Sequence, residues 1–113
     1  MIFIAKNEDG VSSWELVIKR KKVVTRRLKP MEAGKEFAVQ PGRGKKAVCR
    51  ARVISCENSA EHAAKRPIWI TMKNYYAREA HLEGFRSWKG LLKFFEERKI
   101  HLIDTYRIEF EVI

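Results

Sequence analysis

The chain has 113 residues, the size of one domain, and its 45% of hydrophobic residues can form a core without disulfide bonds or a metal. Its formal net charge of +10 favours a polyanionic partner, and no apolar run approaches the roughly 20 residues of a membrane-spanning helix. The opening residues lack a signal-peptide pattern, so we expect one cytoplasmic domain over residues 1–113 and no membrane contact.

The N-terminal half of the chain is predicted to contain one helix and several strands. Residues 2–5 form a short apolar run that favours a buried strand. A helix is predicted to begin at Ser12, because Ser12 and Glu15 have the spacing of a capping box. β-Branched and alternating residues predict three further strands, at residues 23–28, 35–40 and 47–56, with a Pro/Gly turn at 41–46 between the last two.

The C-terminal half is predicted to contain two helices flanked by strands. Residues 67–72 favour a strand, and residues 73–83 favour a helix that ends at Gly84, a residue type common just after a helix. Ser87 is suited to cap the next helix, whose apolar residues recur at helical spacing. Residues 105–113 alternate as a half-buried antiparallel strand does. Because the helices are confined to two places, we predict an α+β fold with a mixed or antiparallel sheet that is closed or strongly curled.

The positive charge is concentrated in about a third of the chain. Residues 17–52 hold thirteen Lys or Arg and two Glu, a net of +11, whereas all other residues hold eleven basic and twelve acidic side chains, a net of −1. An excess confined to one segment favours nucleic acid over a merely solvated surface. Since these cations do not follow one face of a long amphipathic helix, a membrane surface is disfavoured.

Residue types that hold metals or phosphates form no known pattern here. The cysteines Cys49 and Cys56 match no zinc-ligand spacing, and the three histidines lie far apart. The segment GRGKK at 42–46 lacks the spacing of a P-loop, so ATPase or GTPase activity is unsupported. We therefore expect reduced thiols, no metal and no cofactor.

Two segments resemble the ASCH family, a branch of the PUA-like superfamily of small pseudo-barrels. KKVVTRRLKP at 21–30 is similar to the family's basic segment, in which a Lys is followed three residues later by Thr and then Arg. EAHLEGFRSWKGLLKFF at 79–95 is similar to its EGF-x-SW signature, which opens a late helix. The resemblance covers most of the chain and implies a PUA-like curled mixed β-barrel with two or three flanking helices.

The resemblance also implies a partner and a site. PUA-like domains bind RNA, and some small ASCH proteins hydrolyse the amide of N4-acetylcytidine to cytidine and acetate with a Lys, a Thr and a Glu. These residues match Lys22, Thr25 and Glu83. The implied partner is therefore RNA or a modified nucleoside, and we expect a monomer.

The chemistry expected of these three residues depends on burial. A Thr hydroxyl is a weak nucleophile that needs an adjacent base, and a Lys amine can be that base only if its pKa falls well below about 10.4. Neighbouring cations favour such a fall, but salt screens exposed charges, so Lys22 must be at least partly buried. Lys22 would then take the proton of Thr25 or of a water. Glu83 would anchor the base or protonate the leaving amine, while Arg26 or a backbone N–H would hold the oxyanion.

Two other functions are open from the sequence alone. A non-catalytic module would grip the RNA backbone with its cations, which predicts a steep dependence of affinity on salt. A ribonuclease would use Lys22 and a hydroxyl or a second Lys against a phosphodiester. The candidate nucleic-acid contacts are Arg26, Arg27, Arg43, Lys45, Lys46, Arg50 and Arg52.

Overall fold

The computed structural model describes residues 1–113 and is an α+β fold, with four helices beside one four-stranded sheet. None of the helices has the length and apolar character that crossing a membrane requires. The helices are α1 (Ser13–Ile18), α2 (Ser59–Ala64), α3 (Met72–Leu82) and α4 (Trp88–Glu97), and a short 3₁₀ turn covers Leu102–Asp104. The strands are β1 (Val24–Arg27), β2 (Glu36–Val39), β3 (Cys49–Asn58) and β4 (Tyr106–Val112).

The sheet has the order β1-β4-β3-β2, and every neighbouring pair is antiparallel. The long strands β3 and β4 form its centre, with a register shift between Val53 and Ser55. Alternate residues of a strand point to the same face, so the apolar residues of the sheet meet in one buried core with α1 and the N-terminal segment. The core residues are Phe3, Val17, Phe37, Val39, Ala51, Val53, Ile108 and Phe110.

The sheet is open, because its edge strands β1 and β2 form no ladder with each other. Of the two sheet types predicted, the antiparallel one is formed. The expected strand at 2–5 is reduced to a single parallel bridge between Ile2 and Gln40. Around it, the Phe3 N–H donates to the Gln40 carbonyl and the Gln40 N–H donates to the Met1 carbonyl, both at 2.9 Å. The N-terminal segment therefore lies beside β2 without becoming a fifth strand.

The same segment explains why the predicted capping box of α1 is wrong. The Trp14 N–H donates to the Phe3 carbonyl at 3.1 Å, and the Ser13 N–H donates to the Ala5 carbonyl at 2.8 Å. The first N–H groups of α1 thus have backbone acceptors, and the Ser12 side chain makes no capping hydrogen bond.

The predicted strand at 67–72 is wrong, because residues 67–71 form a turn that leads into α3, and Met72 is the first residue of that helix. The Ile70 N–H donates to the Pro67 carbonyl at 3.0 Å, and Arg66 Nε donates to the Ile70 carbonyl at 3.2 Å. Ile68 is 98% exposed and Trp69 is 80% exposed, so this apolar run belongs to the surface.

Helix α2 was not predicted. It has six residues, too few for an apolar period to be visible, and begins where the side chain of Asn58 accepts hydrogen bonds from the N–H groups of Ala60 and Glu61.

The predicted end of α3 is confirmed, and it brings this helix close to Lys22. Gly84 follows the helix with a φ of +87°, a conformation that glycine adopts without steric cost. A Cβ at Gly84 would lie 2.8 Å from Leu16 Cδ1 and 3.5 Å from Lys22 Cβ. Glycine at this position therefore allows the close approach of α3 to α1 and Lys22.

The predicted start of α4 is also confirmed. Ser87 Oγ accepts a hydrogen bond from the Gly90 N–H at 3.1 Å, as a capping serine does. The Glu8 carboxylate accepts from the backbone N–H groups of Arg86 and Ser87, both at 2.9 Å. These contacts fix the connection from Glu83 to α4 against the N-terminal segment.

Candidate active site and basic surface

A cavity of about 620 Å³ lies between the N-terminal segment, β1, the end of α3 and α4. Lys22, Thr25 and Glu83 all line it, so the fold brings the three predicted site residues to one space. Glu83 follows Lys22 by 61 residues, and the approach of α3 to β1 joins them. A cavity of this size can hold a small ligand such as a nucleoside.

Lys22 is buried where the end of α3 meets the start of β1. Its Nζ donates to the carbonyl oxygens of Val24 at 2.9 Å and Glu83 at 3.0 Å. An ammonium group carries three N–H donors, so one position on this nitrogen has no protein partner. Lys22 also lines the cavity, so a ligand or a water there is the candidate partner for that position.

The pKa of Lys22 falls from the ordinary 10.5 to about 8, and burial is the largest cause. The charge of Glu83 opposes the fall, and the charges of Arg27 and Arg26 add to it. With a pKa of about 8, roughly a tenth of the amine is neutral at pH 7 and carries a lone pair. Burial thus supplies the condition that a lysine base needs.

Thr25 lies on β1 opposite Ile108 of β4 and is buried. Its Oγ1 accepts a hydrogen bond from Arg27 Nε at 3.2 Å, which favours negative charge on that oxygen. No hydrogen bond joins Thr25 Oγ1 to Lys22 Nζ. Of the two expected proton routes, direct transfer from Thr25 to Lys22 therefore lacks its hydrogen bond, whereas transfer from a water to Lys22 does not require that bond.

Glu83 keeps one carboxylate oxygen available. Its Oε2 accepts a hydrogen bond from Arg26 Nη1 at 2.5 Å, whereas Oε1 accepts none from the protein. No side-chain nitrogen or oxygen of the chain is both fully buried and unpaired, so Oε1 is at least partly accessible, and Glu83 lines the cavity. It can accept a hydrogen bond from a ligand N–H.

Arg26 has a buried position that the sequence did not indicate. Its side chain is 1% exposed, its Nε donates to Ser59 Oγ at 3.2 Å, and its Nη2 donates to Glu79 Oε1 at 2.8 Å. Together with the bond to Glu83, these contacts engage all three guanidinium nitrogens. An oxyanion or an RNA phosphate would have to compete with these partners for Arg26, so the expected contact stays a prediction.

Glu79 and Arg107 complete this buried network, and neither was predicted as a site residue. Arg107 donates to Glu79 through Nε at 2.5 Å and Nη2 at 3.2 Å. Burial alone would raise the pKa of Glu79, but the hydrogen bonds and charges of Arg107 and Arg26 lower it below the ordinary 4.5. One sequence signal was present, since Glu79 precedes Glu83 by four residues and shares its helix face.

Arg27 faces the cavity and is only half-buried. Its Nη2 donates to the Ile2 carbonyl at 2.9 Å, and its guanidinium carbon lies 5.0 Å from the centre of the Phe3 ring. Its Nη1 donates to no protein atom, and a half-buried group without a partner must be accessible. Arg27 therefore offers a fixed N–H donor beside Thr25.

The other five predicted nucleic-acid contacts are on the surface, outside the cavity. The turn at 41–46 approaches the cavity lining at one point, because a Cβ on Gly42 would lie 3.7 Å from Ile4 Cγ2, and Ile4 lines the cavity. Arg43, Lys45 and Lys46 are exposed in the turn at 41–46, and Arg50 and Arg52 lie on β3 with the carboxylates of Glu36 or Glu111 at 3.7–3.9 Å. Such long, exposed ion pairs contribute little, so these cations can still contact phosphate.

No family model matches the sequence. No curated protein matches it either. Among solved structures, the chain is similar to the crystal structure of protein EF3133 from Enterococcus faecalis V583, described with the family model DUF984. The two sequences are 16% identical, the TM-score is 0.61, and the match covers 99% of this chain and 78% of that one. At this identity the likeness supports the fold alone.

Proposed function

We propose that the chain is an ASCH-like protein that binds one nucleoside unit, free or within RNA, in the 620 Å³ cavity. The observation that carries the proposal is the set of groups on the cavity floor: the Lys22 amine with a pKa of about 8, Glu83 Oε1 and the Thr25 hydroxyl. A nucleobase presents donors and acceptors along one edge and an apolar face. Phe85 and Phe94 line the same cavity and can take that face.

A PUA-like curled barrel is part of this proposal. The N-terminal segment supports it, because that segment bonds to Gln40, the residue after β2, on one side and to the side chain of Arg27 of β1 on the other. The segment thus spans the gap between the two edge strands, and in this proposal it is the element that closes the curl.

The reaction that these residues support best is hydrolysis of the amide of N4-acetylcytidine. The neutral Lys22 amine takes a proton from a water, or from Thr25 through a water, and the resulting oxygen attacks the acetyl carbon. Arg27 Nη1, in place of the enclosed Arg26, donates to the carbonyl oxygen as it becomes negative. The C–N bond then breaks, N4 leaves with the proton from Lys22, and acetate is released. Where Thr25 is the nucleophile, a second water cleaves its acetyl ester.

Incubation of the purified chain with N4-acetylcytidine tests the reaction, with cytidine and acetate followed by chromatography. We expect turnover in the wild type and a loss of about 10²–10⁴-fold in Lys22→Met, which keeps the aliphatic chain but removes the base. Lys21→Met is the matched control, because Lys21 is the exposed neighbour and the change in net charge is the same. Circular dichroism of each variant excludes unfolding as the cause.

Two outcomes would contradict the catalytic assignment. Undiminished turnover in Lys22→Met would show that Lys22 is not the base of the reaction. Absence of turnover in the wild type would leave the cavity as a binding site without this activity.

A non-catalytic RNA-binding module is the second candidate, favoured by the exposed cations of the turn at 41–46 and by the approach of Gly42 to Ile4 of the cavity lining. It and the hydrolase are compatible if a base of bound RNA enters the cavity. Electrophoresis of labelled RNA after incubation separates both from a ribonuclease, which alone would shorten the RNA.

A further inference from the structure

The charge of the cavity lining is strongly unbalanced. Six cationic side chains line it, and Glu83 is the only carboxylate among them. Arg26 already neutralises Glu83 at 2.5 Å, so these two charges cancel. The remaining cations are the floor residue Lys22, the half-buried Arg27, and the exposed Lys6, Lys29 and Arg98.

The three exposed cations of the lining, here called the rim residues, come from three separate parts of the chain. Lys6 lies in the N-terminal segment, Lys29 follows β1, and Arg98 caps the C-terminal end of α4. None of the three has a carboxylate within ion-pairing distance, whereas Arg50 and Arg52 on the outer surface both face Glu36. The rim therefore concentrates positive charge that the protein does not compensate.

Arg98 is the rim cation whose side chain is held by contacts with the protein. Its Nη1 donates to the Phe94 carbonyl at 3.1 Å, and its guanidinium carbon lies 3.6 Å from the centre of the Phe94 ring. Phe94 itself lines the cavity. The guanidinium is thus held beside Phe94, which the proposed function places against a nucleobase. Its remaining N–H donors are free to bind an anion.

We infer that the rim residues Lys6, Lys29 and Arg98 form a phosphate subsite, so that the ligand of the cavity is a nucleotide and not a neutral nucleoside. This inference rests on the proposed function for the binding of the nucleobase. It adds that the substrate is negatively charged. Phosphate oxygens accept hydrogen bonds from several cations at once, and charge-assisted bonds are roughly twice as strong as neutral ones. A neutral nucleoside would leave the mutual repulsion of the rim cations uncompensated.

Two sources could supply this phosphate: the monoester of a free nucleotide or the diester of an RNA strand. Both place an anion close to the sugar of the bound base. The rim recognises the chemistry that they share, and a comparison of a mononucleotide with a dinucleotide separates them.

Calorimetric titration of the full chain with cytidine, cytidine 5′-monophosphate, inorganic phosphate and a cytidine dinucleotide tests the inference. At low salt we expect the monophosphate or the dinucleotide to bind at least about tenfold more tightly than cytidine, and the difference to shrink as salt is added. The tighter of the two identifies the source of the phosphate.

A triple variant assigns the preference to the rim. Replacement of Lys6, Lys29 and Arg98 by Ala should bring the affinity for the phosphorylated ligand down to that for cytidine. The matched control replaces Lys19, Lys35 and Lys93, three exposed lysines outside the cavity, and removes the same charge. It should retain the preference.

The possible outcomes are distinct from those of the hydrolysis assay. Equal affinity for cytidine and its phosphorylated forms would overturn the phosphate subsite but leave the nucleoside pocket intact. An equal loss of preference in both triple variants would also overturn it, because net charge alone would then explain the binding. A third outcome is that inorganic phosphate binds while cytidine does not, and that only the rim variant abolishes this binding. That result would support the subsite and refute the nucleoside pocket.

Discussion

Arg26 and Arg52 both lie on strands in the basic third of the chain, yet they do different things. Arg26 is 1% exposed and bonds to two carboxylates at 2.5 and 2.8 Å. Arg52 is 45% exposed, and its nearest carboxylates are 3.7 and 3.9 Å away. The difference comes from α3, which lays Glu79 and Glu83 against β1, while the outer surface of β3 remains open to water. Burial converts one part of the basic segment into a fixed network and leaves the other part as solvated charge.

The largest expected effect is on stability, from Glu79→Ala. This change removes the carboxylate that pairs with both Arg26 and Arg107 and leaves two buried guanidinium groups without it. Loss of one partner from a buried ion pair typically costs about 3–5 kcal/mol, a large share of the stability of a small domain. Urea denaturation measures the free energy of unfolding directly.

Glu36→Ala is the exposed counterpart. Glu36 faces Arg50 and Arg52 at 3.8 and 3.7 Å on the open surface, so its loss should cost less than about 1 kcal/mol. Equal losses in the two variants would break the comparison, since burial would then not distinguish the two arginine environments.

The next expected effect is the contribution of Lys22 to the pH dependence of stability. Below about pH 8 the lysine is protonated in both the folded and the unfolded chain and adds no pH dependence. Between about 8 and 10.5 the unfolded chain binds a proton that the folded chain does not, so stability rises with pH. The pKa difference corresponds to about 3 kcal/mol over this whole window.

Lys22→Met isolates this contribution. We expect the free energy of unfolding of the wild type to gain about 2 kcal/mol relative to the variant between pH 7.5 and 10. The pKa of Tyr75, which burial raises to about 12, has the opposite effect on stability above pH 10, but it is present in both proteins and cancels in the difference. Parallel pH profiles would mean that Lys22 titrates normally and cannot be a base near neutral pH.

The smallest expected effect concerns the exposed cations. If Arg43, Lys45 and Lys46 bind RNA phosphates, their joint replacement by Ala should lower the slope of log affinity against log salt by about 0.7 for each phosphate that is no longer neutralised, with little change in stability. Fluorescence anisotropy with a labelled single strand at several salt concentrations measures the slope. An unchanged slope would exclude this turn from the RNA interface.

Local patterns predicted those parts of the fold that local physics governs. Ser87 and Gly84 marked helix ends correctly because capping and left-handed backbone depend on a few neighbouring residues. The strand predicted at 67–72 was wrong because apolar residues favour a buried strand only where another element covers them, and Trp69 in this run is exposed. In the same way, the apolar run at 2–5 does not reveal that its carbonyl groups accept hydrogen bonds from the first N–H groups of α1.

The sequence by itself determined an α+β chain, a localised positive charge and a Lys22–Thr25 pair within one segment. Only the tertiary structure decided which of the many cations are buried, because burial depends on which distant element covers them. Helix α3 brings Glu83 to a residue 61 positions earlier, lowers the solvation of Lys22 and joins Arg26 to Arg107 through Glu79. The pKa of a side chain reflects its desolvation and its charged neighbours, and neither can be read from residue order alone.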